Sequence, residues 1–96
     1  MNSHSLLEQK FLDKLNGFIE NNLENEHFGV SELADSMNIS RTSLHRKIKS
    51  ATGHSTSQFI RNIRLNKAIE LLKYESFTVA EAAYQTGFAS ATYFSK

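Results

Sequence analysis

Apolar side chains recur along this chain at three- and four-residue steps, interrupted by polar or glycine positions where a helix would stop. Leu7, Phe11, Leu15, Phe18, Ile19 and Leu23 fall on one face of an amphipathic helix over residues 5–24, whose outer face is acidic. Asn25, Glu26, His27, Phe28 and Gly29 make a loop. Ser31 caps a short second helix carrying Leu33, Ala34 and Met37, which Asn38 breaks. Ser40 caps a third, running to about Ala51 with Leu44, Ile48 and Ala51 inward, and Gly53 sits where it terminates. Ser55-Thr56-Ser57-Gln58 has capping-box spacing and opens the longest helix, in which Phe59, Ile60, Ile63, Ala68, Leu71 and Leu72 are apolar. That helix reaches about Tyr74, which at ~17 residues is roughly 26 Å. Thr78-Val79-Ala80-Glu81 is a second capping box, opening a helix with Ala82 and Ala83 that Gly87 ends. Ser90 caps a final helix towards Lys96.

One pattern in this series occurs twice. Val30, Glu32 and Ala34 precede Asn38, Ile39 and the cap Ser40, and Val79, Glu81 and Ala83 precede Gly87, Phe88 and the cap Ser90. The offset is 49 up to the turn and 50 from the cap onward, where Thr42 matches Thr92, Leu44 Phe94, His45 Ser95 and Arg46 Lys96. A small residue at Ala34 or Ala83 lets two helices approach closely. Four positions later the chain turns sharply with positive φ, which Gly tolerates best and Asn next best. Ile39 and Phe88 then plug the angle between the helices. This is the helix-turn-helix signature. The fold it predicts is all-α: one domain over 1–96, with helix-turn-helix units at 5–53 and 78–96 joined by a connecting helix at 55–74. A generic helical bundle arising by duplication would show the same repeat, so the exposed faces decide between them.

Composition narrows the classes. There is no proline and there are four glycines, which favours helices over strands and turns. The chain has no cysteine, which removes disulfides, thiolate metal sites and cysteine nucleophiles. No apolar run approaches membrane-spanning length and residues 1–5 lack signal-peptide regions, so a cytoplasmic protein without membrane contact is expected. The net charge of +1 hides an asymmetry. Residues 1–39 hold two basic and seven acidic side chains, a net of −5, while residues 40–96 hold nine basic and three acidic, a net of +6. The basic part is the candidate for contact with a polyanion, although a solvated basic face would look the same.

The third helix sharpens that candidate. With Leu44 and Ile48 inward, Arg41, Thr42, His45, Arg46 and Lys49 face outward with no carboxylate among them. Arg grips guanine bidentately, Thr meets a thymine methyl, Lys suits phosphate, and the amides behind the Ser40 cap suit a phosphate oxygen. The bland alternative for either arginine is a surface ion pair, and for His45 a half-exposed structural histidine. The corresponding face of the second unit, Ala91, Thr92, Ser95 and Lys96 behind Ser90, is less charged. Arg61, Arg64 and Lys67 on the connecting helix reach phosphates between the two units or pair with Glu70 or Glu75. Successive major grooves on one face of B-DNA lie roughly 34–36 Å apart. A stiff helix with its flanking bodies can set two reading helices at that separation, over about twenty base pairs. The competing reading is a helical protein–protein interaction module, supported by the apolar first helix and the weaker second unit. An enzyme is disfavoured: His4, His27, His45 and His54 show no metal-ligand spacing, and there is no Gly-rich phosphate loop.

With these residues in place, the chain resembles the DNA-binding domain of AraC/XylS-type bacterial transcription regulators over about residues 7–96. The resemblance is carried by Val30-Ser31-Glu32-Leu33-Ala34, by Ser40 through Lys49, by Thr52-Gly53-His54-Ser55 and by Phe59-Ile60-Arg61. It continues through Arg64-Leu65-Asn66-Lys67-Ala68, Leu71-Leu72, Ala82-Ala83, Gly87-Phe88 and Tyr93-Phe94-Ser95-Lys96. It implies homeodomain-like subdomains, two major-groove helices, double-stranded DNA and RNA polymerase as partners, and no cofactor. By position, Arg41, Thr42, His45 and Arg46 match family contact sites, as do Ala91, Thr92, Ser95 and Lys96 in the second unit. The first helix is similar to versions fused behind response-regulator receivers or hybrid two-component sensors. Two departures stand out. Ala91 replaces a larger polar residue often found there, and the family's domain continues past the point where this chain stops. A fragment of a longer protein, with its regulatory domain elsewhere, is therefore expected.

Overall fold

The computed structural model describes residues 5–74 and 76–88. These form five α-helices and no strand: α1 (Leu6–Glu20), α2 (Val30–Met37), α3 (Arg41–Thr52), α4 (Thr56–Tyr74) and α5 (Val79–Gln85). The all-α expectation holds, and the helix expected from Ser90 onward lies outside the described residues.

Helix α1 starts on a reciprocal cap in which Ser5 Oγ accepts from Glu8 N–H and Glu8 Oε1 accepts from Ser5 N–H. It stops at Glu20, earlier than periodicity predicts. Asn22 turns its side-chain amide onto the Phe18 carbonyl at 2.8 Å, offering the backbone a partner outside the helical ladder. Its buried stripe is Leu12, Leu15 and Ile19, whereas Leu7, expected on the apolar face, is 78% exposed. Periodicity identifies a face; it does not say how far along that face another element extends.

Helix α2 begins two residues before the expected start. Gly29, not Ser31, holds the cap position, and Glu32 Oε1 reaches back to accept from Gly29 N–H at 2.9 Å. Gly29 has no side chain to offer, so the Glu32 carboxylate does the capping. At α4 half of the expected box forms. Ser55 Oγ accepts from Gln58 N–H, but the Gln58 side chain turns to Asn62 Oδ1 at 2.7 Å. At α5 both halves form between Thr78 and Glu81.

The two helix ends at the repeat carry the same backbone bonds. Ile39 N–H donates to Ala34 O at 3.1 Å and Phe88 N–H to Ala83 O at 2.9 Å, each beside a residue with positive φ, Asn38 at 60° and Gly87 at 85°. This six-to-one closure is the Schellman form of helix end. Ala34 and Ala83, both buried, sit at the matching positions of close approach.

The main core joins Leu12, Leu15, Ile19, Leu33, Leu44, Ile48 and Ile60, so α1, α2, α3 and the first half of α4 form one body. A smaller cluster of Ala68, Leu71 and Ala82, flanked by Leu72 and Phe77, holds α5 on the second half of α4. Helix α4 is thus shared. At 19 residues it spans roughly 28 Å.

Acid should loosen these caps first. The N–H of Gly29, then Glu32's own N–H, hold the Glu32 carboxyl below the ordinary value of 4.5, and the Thr78 N–H followed by its hydroxyl do the same for Glu81. A depressed folded pKa adds stability above the unfolded value, and that stability is lost as pH falls through the folded one. Melting temperature is expected to fall on acidification below about pH 4.5, and more shallowly in Glu81→Gln. Parallel melts that show equal acid slopes would disprove the assignment to Glu81.

Candidate nucleic-acid interface

Helix α3 is held by two fully buried side chains, Leu44 and Ile48. Ser40 Oγ accepts from Ser43 N–H at 3.0 Å and fixes its start, and Gly53 at φ 81° fixes its end. With that register set, Arg41, Thr42, His45, Arg46 and Lys49 all lie exposed along the opposite side. Neither Arg41 nor Arg46 has an ion-pair partner among the described residues. Among the described residues, the surface-pair alternative for the two arginines is not realised. Lys49 Nζ donates to the Gly53 carbonyl at 3.0 Å, so its ammonium closes its own helix end.

The N-terminal ends of α3 and α4 share a cleft of about 410 Å³ lined by Val30, Arg41, Thr42, His45, Ser55, Thr56 and Ser57. Two helix N-termini and one guanidinium meet there, with no acidic residue in the first turn of either helix. Positive partial charge from exposed amides adds to the charge of Arg41, and this surface suits an anion. Capping-box spacing marks Ser55 and Ser57 only as helix-opening residues. The signal for their closeness to Arg41 was the short connection through Gly53. Lys47, not singled out from sequence, lies over the Phe11 ring at 5.6 Å and extends the basic face towards α1. Ser90, Ala91, Thr92, Ser95 and Lys96 lie outside the described residues.

The connecting helix requires a correction. Arg64 neither faces a phosphate nor pairs with a carboxylate; it is 6% exposed. Its Nη1 donates to the carbonyls of Leu23 at 2.6 Å and Thr86 at 2.8 Å, and its Nη2 to those of Asn25 at 3.0 Å and Phe28 at 2.9 Å. Burial pushes its pKa below the ordinary guanidinium value, but an arginine begins so high that it stays charged at neutral pH. Lys67 pairs with Glu70 at 3.5 Å, as one of the two options had it, and Arg61 lies over the Phe88 ring at 5.6 Å.

A short first helix, a left-handed turn and a second helix with a buried stripe and a carboxylate-free basic face define a helix-turn-helix DNA-binding domain. A family model described as a helix-turn-helix domain matches residues 33–96. The chain belongs to this family, of AraC type. It is 37% identical over 92 residues to Histidine kinase P4 of Formosa agariphila, covering 96% of this chain and 7% of that protein. A transcriptional regulator from Chromobacterium violaceum, described as having an AraC-type DNA-binding domain, superposes with a TM-score of 0.82 at 28% identity, covering 95% of this chain and 80% of that one. The DNA-binding domain of AdpA, a global transcriptional factor solved with a target DNA, gives 0.75 at 28% identity, covering 86% and 74%. C-terminal domains of two response regulators share the fold too. The chain spans less than a third of the length of the curated relatives it matches. The family is one of DNA-binding transcription regulators; the kinase name belongs to a relative of which this chain matches 7%. Among the described residues no helix is long and apolar enough to cross a membrane.

Proposed function

We propose that this chain binds double-stranded DNA sequence-specifically and serves as the output domain of a bacterial transcription regulator. The observation that carries the reading is α3 itself: Leu44 and Ile48 buried behind it, and Arg41, Thr42, His45 and Arg46 exposed in front with no carboxylate among them. In this reading α3 enters a major groove. Arg46 and Arg41 take guanine edges or phosphates, Thr42 and His45 read neighbouring bases, and Lys49 swings from its helix end to a phosphate. The Ser40 amides and the α4 N-terminus receive backbone phosphates. Ser90, Ala91, Thr92, Ser95 and Lys96 form a second, less charged reading face for the next major groove. RNA polymerase is the further partner, the site of action is the cytoplasm, and the regulatory domain lies elsewhere in a longer parent chain. The lengths of the relatives and the response-regulator neighbours support that last point.

The test is fluorescence anisotropy with a labelled duplex pool of ~30 base pairs, long enough for two successive grooves, titrated from low to physiological salt. Binding should weaken steeply with salt as counterions are released, and a discrete sequence should be enriched. On that sequence Arg46→Ala should cost about 1–3 kcal/mol, which is roughly 5- to 150-fold in Kd. Unchanged affinity would remove Arg46 from the reading face. A parent protein that ignores duplex DNA even at low salt would overturn the reading in favour of the protein-interaction module.

A further inference from the structure

Arg64 ties the loop between α1 and α2 to the turn that ends α5. Three of its four carbonyl partners, Leu23, Asn25 and Phe28, lie between α1 and α2, in the body that carries α3. The fourth, Thr86, is the last cap of α5, in the second unit. The Nη1 atom is common to both sides, since it bonds Leu23 and Thr86 at once. Among the described residues no other hydrogen bond joins the loop at 21–29 to α5. The apolar contact holding α5 is small, Ala68, Leu71 and Ala82 with two flanking side chains, and its central residues are mostly alanines. Alanine faces permit sliding that interdigitated Leu and Ile side chains resist. The chain also enters α5 through Ser76 at φ 57°, a local bend rather than a continuous helix. A planar guanidinium with donors in a fixed fork therefore adds to this packing, and to the contact of Arg61 with the Phe88 ring, a directional hydrogen-bonded restraint between the units. Thr86 and Gly87 are the turn that leads towards Ser90, so the restraint acts where the second reading helix is expected to start.

We propose that Arg64 is a positioning residue that fixes the angle between the two DNA-reading units, and so sets the spacing between half-sites that the protein accepts. This rests on the two-unit reading above. Two rigidly related heads engage a site together only when its halves lie at the matching distance and helical phase. Heads that swing freely tolerate a change of spacing, at the expense of affinity for the matched site.

Two measurements test it on the full chain with Arg64, Arg64→Lys and Arg64→Gln. The protein has no cysteine, so Ser50→Cys and Ala80→Cys, both at exposed positions, give a clean pair of spin labels across the units. The parent, free in solution, should give one narrow distance distribution and the Arg64 variants a broad one. In the second, one base pair is inserted between the halves of the selected site. The parent should lose about tenfold or more in affinity, and Arg64→Lys less than about threefold, with equal binding to an isolated first half-site. A purely structural role would lower stability without flattening the spacing dependence. A folded Arg64→Lys with the parent's narrow distribution and spacing penalty overturns the proposal. So does a broad distribution in the parent, which requires no variant to fold. A parent with a narrow distribution that is indifferent to the inserted base pair instead overturns the two-unit reading, and the spacing role falls with it.

Discussion

Replacing Arg64 with Met should destabilise the protein by roughly 3–5 kcal/mol, the range for breaking a buried charged hydrogen-bond group. Four carbonyls lose their donor in one step, and each acceptor left unsatisfied in a dry site costs about 1–3 kcal/mol. The sum is larger than the expected effect for two reasons. Water can enter from the partly exposed side of the Leu23 and Asn25 bonds, and burying the guanidinium was itself costly, which Met avoids. Small domains have about 5–15 kcal/mol in total, so the loss is a large fraction of the fold's stability. Arg64→Lys should cost less, because an ammonium still carries charge and three donors. It cannot span four carbonyls that a planar fork reaches with two nitrogens. Urea unfolding followed by circular dichroism gives both numbers. A Met variant within 1 kcal/mol of the parent would show that water satisfies the carbonyls and that the guanidinium is dispensable.

The sequence made much of this fold legible and missed this residue, and the reason is physical. Helix identity followed from periodicity, and helix ends from chemistry tied to one conformation: Asn38 and Gly87 lie at positive φ where the repeat required it. Outward residues of α3 followed from Leu44 and Ile48, because two buried positions four apart fix the register of a helix. Leu7 has the right spacing yet stays exposed, because coverage of a face depends on what packs there. Ser31 lost the cap to Gly29 because the Glu32 carboxylate can cap without help from a side chain at that position. Arg64 reads as a surface cation because arginine most often is one. The signal was present: Ile60, Arg64, Ala68 and Leu71 fall on one helical stripe, and the three apolar members are all buried. A lone arginine on such a stripe has to find acceptors inside. Its acceptors could not be named in advance, because they are backbone carbonyls distant in sequence, and backbone atoms leave no mark on residue type.

Gly87 is the second place where one atom decides. Gly87→Ala is expected to cost about as much as losing Arg64, roughly 3–5 kcal/mol, whereas Gly53→Ala should cost only about 1 kcal/mol. Both glycines have positive φ, 85° and 81°, so both alanines meet the same backbone strain. They differ in what surrounds the added methyl. At Gly53 it would enter open space; at Gly87 it would run into Arg64 Nη1 and Cζ and the Leu23 carbonyl oxygen. Relief requires the guanidinium to withdraw, which breaks its bonds to Leu23 and Thr86 together. The two substitutions should therefore not add. In an Arg64→Met background the guanidinium is already gone, and Gly87→Ala should retain its strain and part of the clash with Leu23, about 1–2 kcal/mol. A double-mutant cycle by urea unfolding measures this coupling, using Gly53→Ala as the control for strain alone. Full additivity would mean that the methyl is accommodated without disturbing Arg64, and that glycine is required at this turn for its backbone angle only.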